Sequence, residues 1–182
     1  MASPELPSQV LVRACESESR DPISGLVVGL TVLVPRKNNY GIGPRITDAA
    51  GNALFSVDEI SREIELNKRV FLMDYSCDLS QAVGLAAWVA NRRQIDNMLE
   101  FSRQWGRTVP EWRLSDDMID KLSKCDNDAY EACTVSVDIG ELRRHPAIEI
   151  TFLQRPAGSN SPQQGSASWR ASSGSSVRLM PS

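Results

Sequence analysis

The chain is poor in the residues that build metal centres and nucleophilic sites. It has one histidine, His145, and its four cysteines include no pair spaced as Cys-x-x-Cys. Structural zinc sites usually show paired ligand spacing, so no metal is predicted. A Cys/His nucleophile also needs a base within reach and a third orienting group, and no pattern in the chain supplies them. We therefore predict no catalytic residue.

Phosphate-binding and charge signals are equally scarce. Neither a Walker phosphate loop nor a dinucleotide fingerprint occurs, so no cofactor is predicted. The net charge of −3 disfavours nucleic acid as a partner. No run of about 20 apolar residues exists, so no membrane insertion is predicted. Residues 1–10 lack the basic start and apolar core of a secretory signal, so we expect a cytoplasmic location and buried free thiols.

Residues 26–34 carry the most regular apolar alternation in the chain. Val27 and Leu33 fall on the opposite face from the alternating set, which predicts a strand buried on both faces. Gly29 suggests a bulge, and Pro35 ends the strand because proline cannot donate to a ladder. The alternating positions are Leu26, Val28, Leu30, Val32 and Val34.

A turn signal follows within residues 46–55. Asp48 and Asn52 have short polar side chains that bond nearby backbone groups, and Gly51 accepts a positive φ without strain. Apolar residues flank this signal on both sides. The pattern predicts a β-hairpin with one short strand before the turn and one after it.

Four further segments show the alternation that is typical of a strand. They are residues 9–15, 69–75, 132–139 and 147–153. Two other segments leave alternatives open. Residues 57–67 fit either a short helix or a loop that leads into a strand, and residues 140–146 fit either a turn of helix or a loop.

The strand segments of the first half resemble a known family. Three patterns carry the resemblance: P-I-S-G-L-x-V-x-L-x-V, then T-D-A-x-G-x-A-x-F, then a strand that contains V-F-L. Over about residues 9–75, the chain resembles the transthyretin-like sandwiches, a group that includes the regulatory-like domains of carboxypeptidases. The resemblance implies a β-sandwich with a binding, accessory or scaffolding role, and it carries over no catalytic residue.

Residues 78–129 are predicted to form a two-helix insertion. Residues 78–81 match a capping box, and helical spacing then runs over residues 82–105. A second helix is predicted to start at Ser115, a good N-cap, and to end at about Cys125 or Ala129.

Large apolar side chains on the first predicted helix, and in the connection after it, form the candidate binding site. Two interpretations are open. The stripe could line a groove for a small apolar ligand or a partner helix. It could instead cover one face of the sandwich, which is the usual role of an amphipathic face and the interpretation we favour. The candidate residues are Trp88, Ile95, Met98, Trp105 and Trp112.

The two ends of the chain differ in composition from the part between them. Residues 1–8 are predicted to be a flexible lead, and residues 155–182 a disordered tail with nine serines and no acidic residue. Residues 9–154 are predicted to form the folded domain, with the helical insertion inside it.

Together these patterns predict an α+β fold: an antiparallel β-sandwich, transthyretin-like or Ig-like, with about seven strands and a two-helix insertion. The leading functional hypothesis is a non-catalytic protein-interaction or accessory module. The first alternative is a carrier or sensor that holds a small apolar ligand between helices and sheet. The second alternative is an enzyme with a scattered Cys/His/Asp site. An unidentified protein is the expected partner, and an exposed sheet edge would permit a homodimer.

Overall fold

The computed structural model describes residues 6–35, 40–71, 79–125 and 134–152. Within these ranges the chain forms seven strands and four α-helices, so it is an α+β protein as predicted. Single turns of 3-10 helix lie at Leu79–Gln81 and Pro110–Trp112. In chain order the elements are β1 (Gln9–Glu16), β2 (Val27–Leu33), β3 (Tyr40–Ile46), β4 (Asn52–Ser56), α1 (Val57–Phe71), β5 (Gly84–Val89), α2 (Arg92–Trp105), α3 (Asp116–Lys124), β6 (Thr134–Asp138), α4 (Ile139–Arg144) and β7 (Ala147–Phe152).

The strands form two sheets. β4, β1 and β7 make a three-stranded first sheet, and β3, β2, β5 and β6 make a four-stranded second sheet. Neighbouring strands are antiparallel except for β1 and β7, which run parallel from the Leu11–Ala147 pair to the Glu16–Phe152 pair. The prediction of a wholly antiparallel fold is therefore wrong for this pair. β1 and β7 lie far apart in the sequence, so no hairpin turn fixes their relative direction.

The main hydrophobic core takes side chains from both sheets. Alternate residues of β1, β2 and β7 are buried in it, which confirms the alternation seen in the sequence. Ile60 and Ile64 of α1 and Leu142 of α4 enter the same core. Each fully buried aliphatic side chain contributes about 1.5–3 kcal/mol, so this core is the main source of stability. Its strand residues include Val10, Val12, Ala14, Val28, Leu30, Val32, Ile148 and Ile150.

A second, smaller core lies on the outer face of the second sheet, where α2 and α3 pack against it. Its buried members are Val27, Ala90, Ile95 and Leu122. β2 is therefore buried on both faces, as its sequence predicted. The pairing of β2 with β3 shifts register between Val28 and Leu30, where two steps along β2 match three along β3, from Arg45 to Ile42. The extra residue of this bulge therefore lies in β3, opposite Gly29, and not at Gly29 as predicted.

The turn after β3 is present, but the hairpin predicted around it is wrong. Asp48 Oδ1 accepts hydrogen bonds from the N–H groups of Ala50 and Asn52, both at 2.9 Å, and Gly51 has a φ of +74°. The strand before this turn belongs to the second sheet and the strand after it to the first. The turn therefore carries the chain from one sheet to the other. Local turn chemistry determines the reversal, whereas strand partners are determined by packing elsewhere.

The long helix predicted over residues 82–105 is also wrong in its first half. Those residues form β5, which pairs with β2 on one side and β6 on the other, and α2 starts only after Asn91. The side chains and backbones of Asn91 and Gln94 form a capping box, with both N–H···O distances at 2.9 Å. β5 is buried on both faces and contains two alanines, so it lacks the alternation that identifies a strand. The predicted cap residue, Asp78, lies outside the described residues.

α1 resolves the alternatives for residues 57–67 in favour of a helix, and this helix extends to Phe71. Ile60 and Ile64, four positions apart, lie on one face and enter the main core. The strand predicted at residues 69–75 is therefore wrong at residues 69–71, because the helix continues through them. Residues 72–75 lie outside the described ranges.

The predictions for α3 and α4 agree better with the structure. Ser115 caps α3, since its Oγ accepts a hydrogen bond from the Met118 N–H at 3.2 Å. α3 ends at Lys124, which matches the shorter of the predicted lengths. The connection at residues 140–146 contains α4, so the helical alternative is correct there.

Several predicted segments fall outside the described residues. They are residues 1–5, 72–78, 126–133 and 155–182. From the predicted lead, Leu6 packs against the main core. Cys15 is buried and Cys125 is half-buried, both as free thiols, whereas Cys77 and Cys133 lie outside the described ranges. Within those ranges, none of the helices combines the length and the apolar character that crossing a membrane requires.

Candidate functional site

The five predicted site residues separate into three places. Trp88 lies on β5 and not on α2, so it cannot share a helical stripe with Trp105, and that part of the prediction is wrong. Ile95 is fully buried in the second core and is closed to a ligand. Met98 joins Trp88 at a groove, while Trp105 and Trp112 lie together near the end of α2.

The indole of Trp88 lies flat on Gly29 of the neighbouring strand, which is its partner in the β2–β5 register. A Cβ atom on Gly29 would fall 2.0 Å from Cζ2 of the indole, and 2.4 and 2.5 Å from its bonded neighbours Cε2 and Cη2. These distances place the Cβ position above the face of the indole ring and not beyond its edge. One indole face is therefore covered by the sheet, and the half-buried ring also packs against the second core, which contains Ile95 of α2.

Trp88 borders an open groove of about 540 Å³ between the second sheet and α2, which we call the Trp88 groove. The register aligns its floor, since Ala86 faces Thr31 on one side and Ser136 on the other. Gln94, Asn97 and Met98 of α2 line it from the side. The volume falls within the range of about 300–1,000 Å³ typical of small-ligand sites. The floor residues are Thr31, Leu33, Ala86, Trp88, Thr134 and Ser136.

The lining of the Trp88 groove is uncharged, and five of its nine side chains are hydroxyls or amides. A purely apolar ligand would therefore match only part of it. The polar members were not predicted, because threonine and serine on the outer face of a strand are typical of simple solvent contact. The usable signal was the alternation of Thr134 and Ser136 with Val135 and Val137, which pack against the main core.

A second surface, the aromatic patch, consists of Phe101, Trp105 and Trp112. The ring centroids of Phe101 lie 6.4 Å from Trp105 and 5.3 Å from Trp112, and both pairs are tilted. Phe101 and Trp105 are each 39% exposed, although they are among the largest apolar side chains in the protein. Phe101 was missed in the sequence, although its spacing of four from Trp105 places both rings on one helical face.

The backbone under the aromatic patch is held by two small residues. The Oγ of buried Ser102 accepts a hydrogen bond from the Leu114 N–H at 2.8 Å, which ties the segment after Trp112 back to α2. Gly106 leaves no room for a side chain, because a Cβ there would lie 2.9 Å from the Cβ of Arg113. The three rings therefore stand on a fixed support.

Arg92 holds α3 against α2. Residues of α2 form one side of the Trp88 groove. Arg92 Nη1 donates to the carbonyl oxygens of Leu122, Ser123 and Cys125 at 3.3, 3.2 and 3.4 Å, and its Nη2 pairs with Asp96 at 2.6 Å. A cation is favourable at the C-terminus of a helix, where carbonyls lack intrahelical partners. Arg92 thus caps α3 from the first turn of α2.

Two carboxylates of α1 have opposite environments. The Ser56 backbone N–H and hydroxyl donate to Glu59 at 3.1 and 2.9 Å and lower its pKa. Burial raises the pKa of Glu63, although the Gly43 N–H at 3.4 Å and the nearby Arg45 partly oppose this. Arg45 also pairs with Glu59 at 3.4 Å. The two groups therefore respond to acid in opposite ways.

We expect Glu63→Gln to stabilise the protein at neutral pH, with an advantage over wild type that shrinks as the pH falls towards 4.5. The folded-state pKa of Glu63 is raised above its ordinary value of 4.5. Its favourable contribution to the free energy of unfolding is therefore complete below pH 4.5, and it is lost as the pH rises through the folded-state pKa. Glu59→Gln is the matched control. The pKa of Glu59 is lowered, so its contribution is present above 4.5 and is lost only below it. Urea unfolding across this range would contradict the assignment if both variants showed the same trend.

The described residues contain no group of three or more His, Cys, Asp or Glu side chains placed to hold a metal ion. Burial raises the pKa of the Cys15 and Cys125 thiols, which favours the neutral thiol over the nucleophilic thiolate. No protein-family model, curated protein or solved structure matches the chain. Hypotheses about function therefore rest on the Trp88 groove and the aromatic patch.

Proposed function

We propose that the protein is a non-catalytic interaction module that binds a protein partner through the aromatic patch. The observation that supports this is the contact of three large rings, two of them 39% exposed, on a fixed support. Grouped apolar side chains on a surface mark interaction sites. Tryptophan is among the residues that contribute most to binding energy when a partner covers it.

The partner surface that fits this patch combines apolar and charged groups. Arg107 and Arg113 are exposed and lie within two residues of Trp105 and Trp112 in the sequence, and exposed Glu111 directly precedes Trp112. Arginines at the rim of an interface attract an acidic partner and raise the rate of association. Neither arginine needs to be buried for this, so the aromatic rings supply affinity and the arginines supply orientation.

The two sheets that share one core support a β-sandwich, and the transthyretin-like or Ig-like type remains our proposal for its topology. An accessory or scaffolding role would follow from that type. A cytoplasmic location is proposed with it, because the free thiols of Cys15 and Cys125 fit a reducing compartment. A homodimer through an exposed strand edge is proposed as a further assembly.

Trp105→Ala is expected to abolish partner capture and to weaken a purified complex by at least about 30-fold, the effect of losing a hot-spot residue worth about 2 kcal/mol. Quantitative affinity capture from cells, followed by titration calorimetry with the captured protein, measures this. Leu54→Ala is the control, since Leu54 is 50% exposed but lies on β4, away from α2.

Two outcomes would contradict this proposal. One is that wild-type protein captures no specific partner, and the other is that Trp105→Ala and Leu54→Ala retain the same partners at the same affinity. A loss with Leu54→Ala alone would move the interface to the first sheet.

The Trp88 groove favours a second candidate function, a carrier or sensor of a small ligand. Its volume of about 540 Å³ and its mixed polar and apolar lining support this candidate. The enzyme alternative has less support, because neither the groove lining nor the aromatic patch pairs a nucleophile with a base.

A further inference from the structure

We propose that the Trp88 groove binds a neutral, hydroxyl-rich ligand of the sugar class, in contact with the part of the Trp88 indole that borders the groove. This goes beyond partner binding at the aromatic patch and is independent of it. It uses the same groove as the carrier or sensor candidate and rests on that candidate in this respect alone. The ligand that it names is a neutral sugar and not a purely apolar molecule.

The first argument is the presentation of the indole. Gly29 lies directly under the ring, so the sheet supports one face of the indole and holds the ring in place, and part of the ring borders the groove. An aromatic face is electron-rich and attracts the weakly positive C–H groups of a flat ligand. A pyranose ring has such C–H groups on its faces and hydroxyls around its edge. It can therefore place its C–H groups against the accessible part of the Trp88 indole while its hydroxyls reach the polar side chains of the groove.

The second argument is what surrounds the indole. Thr134 faces Trp88 across the β5–β6 register, Ser136 follows on the same face, and Thr31 lies on β2, the other neighbour of β5. Asn97 and Gln94 approach from α2, where Gln94 Oε1 is engaged by the Asn91 N–H. Hydroxyls and amides both donate and accept, which is the combination that sugar hydroxyls need.

The third argument is charge. All nine lining side chains are uncharged. A charged ligand would lose hydration on entering the groove without gaining a counter-charge, which carries a high energetic cost. A wholly apolar ligand would cover the hydroxyls of Thr31 and Ser136 and leave them without partners. A neutral ligand with many hydroxyls avoids both costs.

Saturation-transfer NMR with the full chain tests this proposal. The probes are methyl glycosides of glucose, galactose, mannose and N-acetylglucosamine, with glucuronic acid as the anionic comparison and indole as the apolar one. We expect at least one neutral glycoside to bind, and both comparison probes to bind at least tenfold more weakly.

Variants locate the binding. Asn97→Leu should weaken the bound glycoside at least tenfold, because it removes an amide from the groove and adds an apolar group. Gln104→Leu is the matched control, as another exposed polar position on α2 outside the groove, and should leave affinity unchanged. Trp88→Ala should abolish binding, with circular dichroism used to check its fold. If Trp88→Ala does not fold, the comparison of Asn97→Leu with Gln104→Leu still decides the test.

Three results would overturn the proposal: no neutral glycoside binds, the anionic or apolar probe binds better, or Asn97→Leu binds as well as Gln104→Leu. Trp105→Ala separates this proposal from the partner-binding one. It should leave glycoside binding unchanged while it removes partner capture, so either proposal can fail without the other.

Discussion

Replacing Thr47 by valine should lower the free energy of unfolding by about 2–4 kcal/mol, the cost of leaving two buried polar groups without their partner. Thr47 is only 3% exposed. Its Oγ1 accepts a hydrogen bond from the Leu26 N–H at 2.9 Å and donates to the Ile23 carbonyl oxygen at 2.7 Å. Valine has the same shape but can make neither bond. Urea unfolding of the purified variant measures the change.

Thr47→Ser is the control for this prediction. Serine keeps both hydrogen bonds and loses one methyl group, so its cost should be about 1 kcal/mol. If serine were as costly as valine, the methyl group would contribute as much as the hydroxyl, and the two hydrogen bonds would not be the dominant contribution of Thr47. The two variants therefore separate packing from hydrogen bonding at the end of β3.

Gly29→Ala should destabilise the protein by about 2–3 kcal/mol, at the upper end of the usual cost of overpacking. The added Cβ would lie 2.0 Å from Cζ2 of Trp88, so the indole must leave the sheet. Gly41→Ala is the matched control, because Gly41 is also in a strand, has an ordinary φ and has no atom within 4 Å of the Cβ position. Its effect should stay within about 0.5 kcal/mol.

The double variant Gly29→Ala with Trp88→Leu isolates the contact between the two residues. If the clash with the indole causes the loss, the double variant should be more stable than the sum of the two single effects predicts. Additive effects would contradict this, and would mean that Gly29 matters for the irregular β2–β3 pairing and not for Trp88. Denaturant unfolding of all four proteins completes the cycle.

The strands that could be predicted are those with one buried face and local signals. β1 and β7 alternate between core and surface, and β2 adds β-branched residues and a proline that ends it. β5 was not predicted as a strand, because it is buried on both faces and its partner strands are distant in the sequence. The turn at Asp48 was recognised, but no local residue indicates that it connects two sheets.

The candidate site shows the same division between local and distant information. Trp88 and Met98 were selected as members of a helical stripe, and the structure brings them together across a sheet and a helix instead. Thr31, Thr134 and Ser136 could not be selected, because their shared face exists only once β2, β5 and β6 have paired. Sequence spacing identifies neighbours along an element, whereas a groove floor is made of neighbours across elements.

The parallel pairing of β1 with β7 has a consequence for biosynthesis. β1 is the first of the described strands to leave the ribosome and β7 is the last, yet they are adjacent in the first sheet. Until β7 is made, one edge of β1 has no strand beside it and the apolar face of Val10 and Val12 is not fully covered. Assembly of the first sheet must therefore finish after synthesis of β7, and contacts between distant parts of the chain limit how early the nascent protein can acquire its final core.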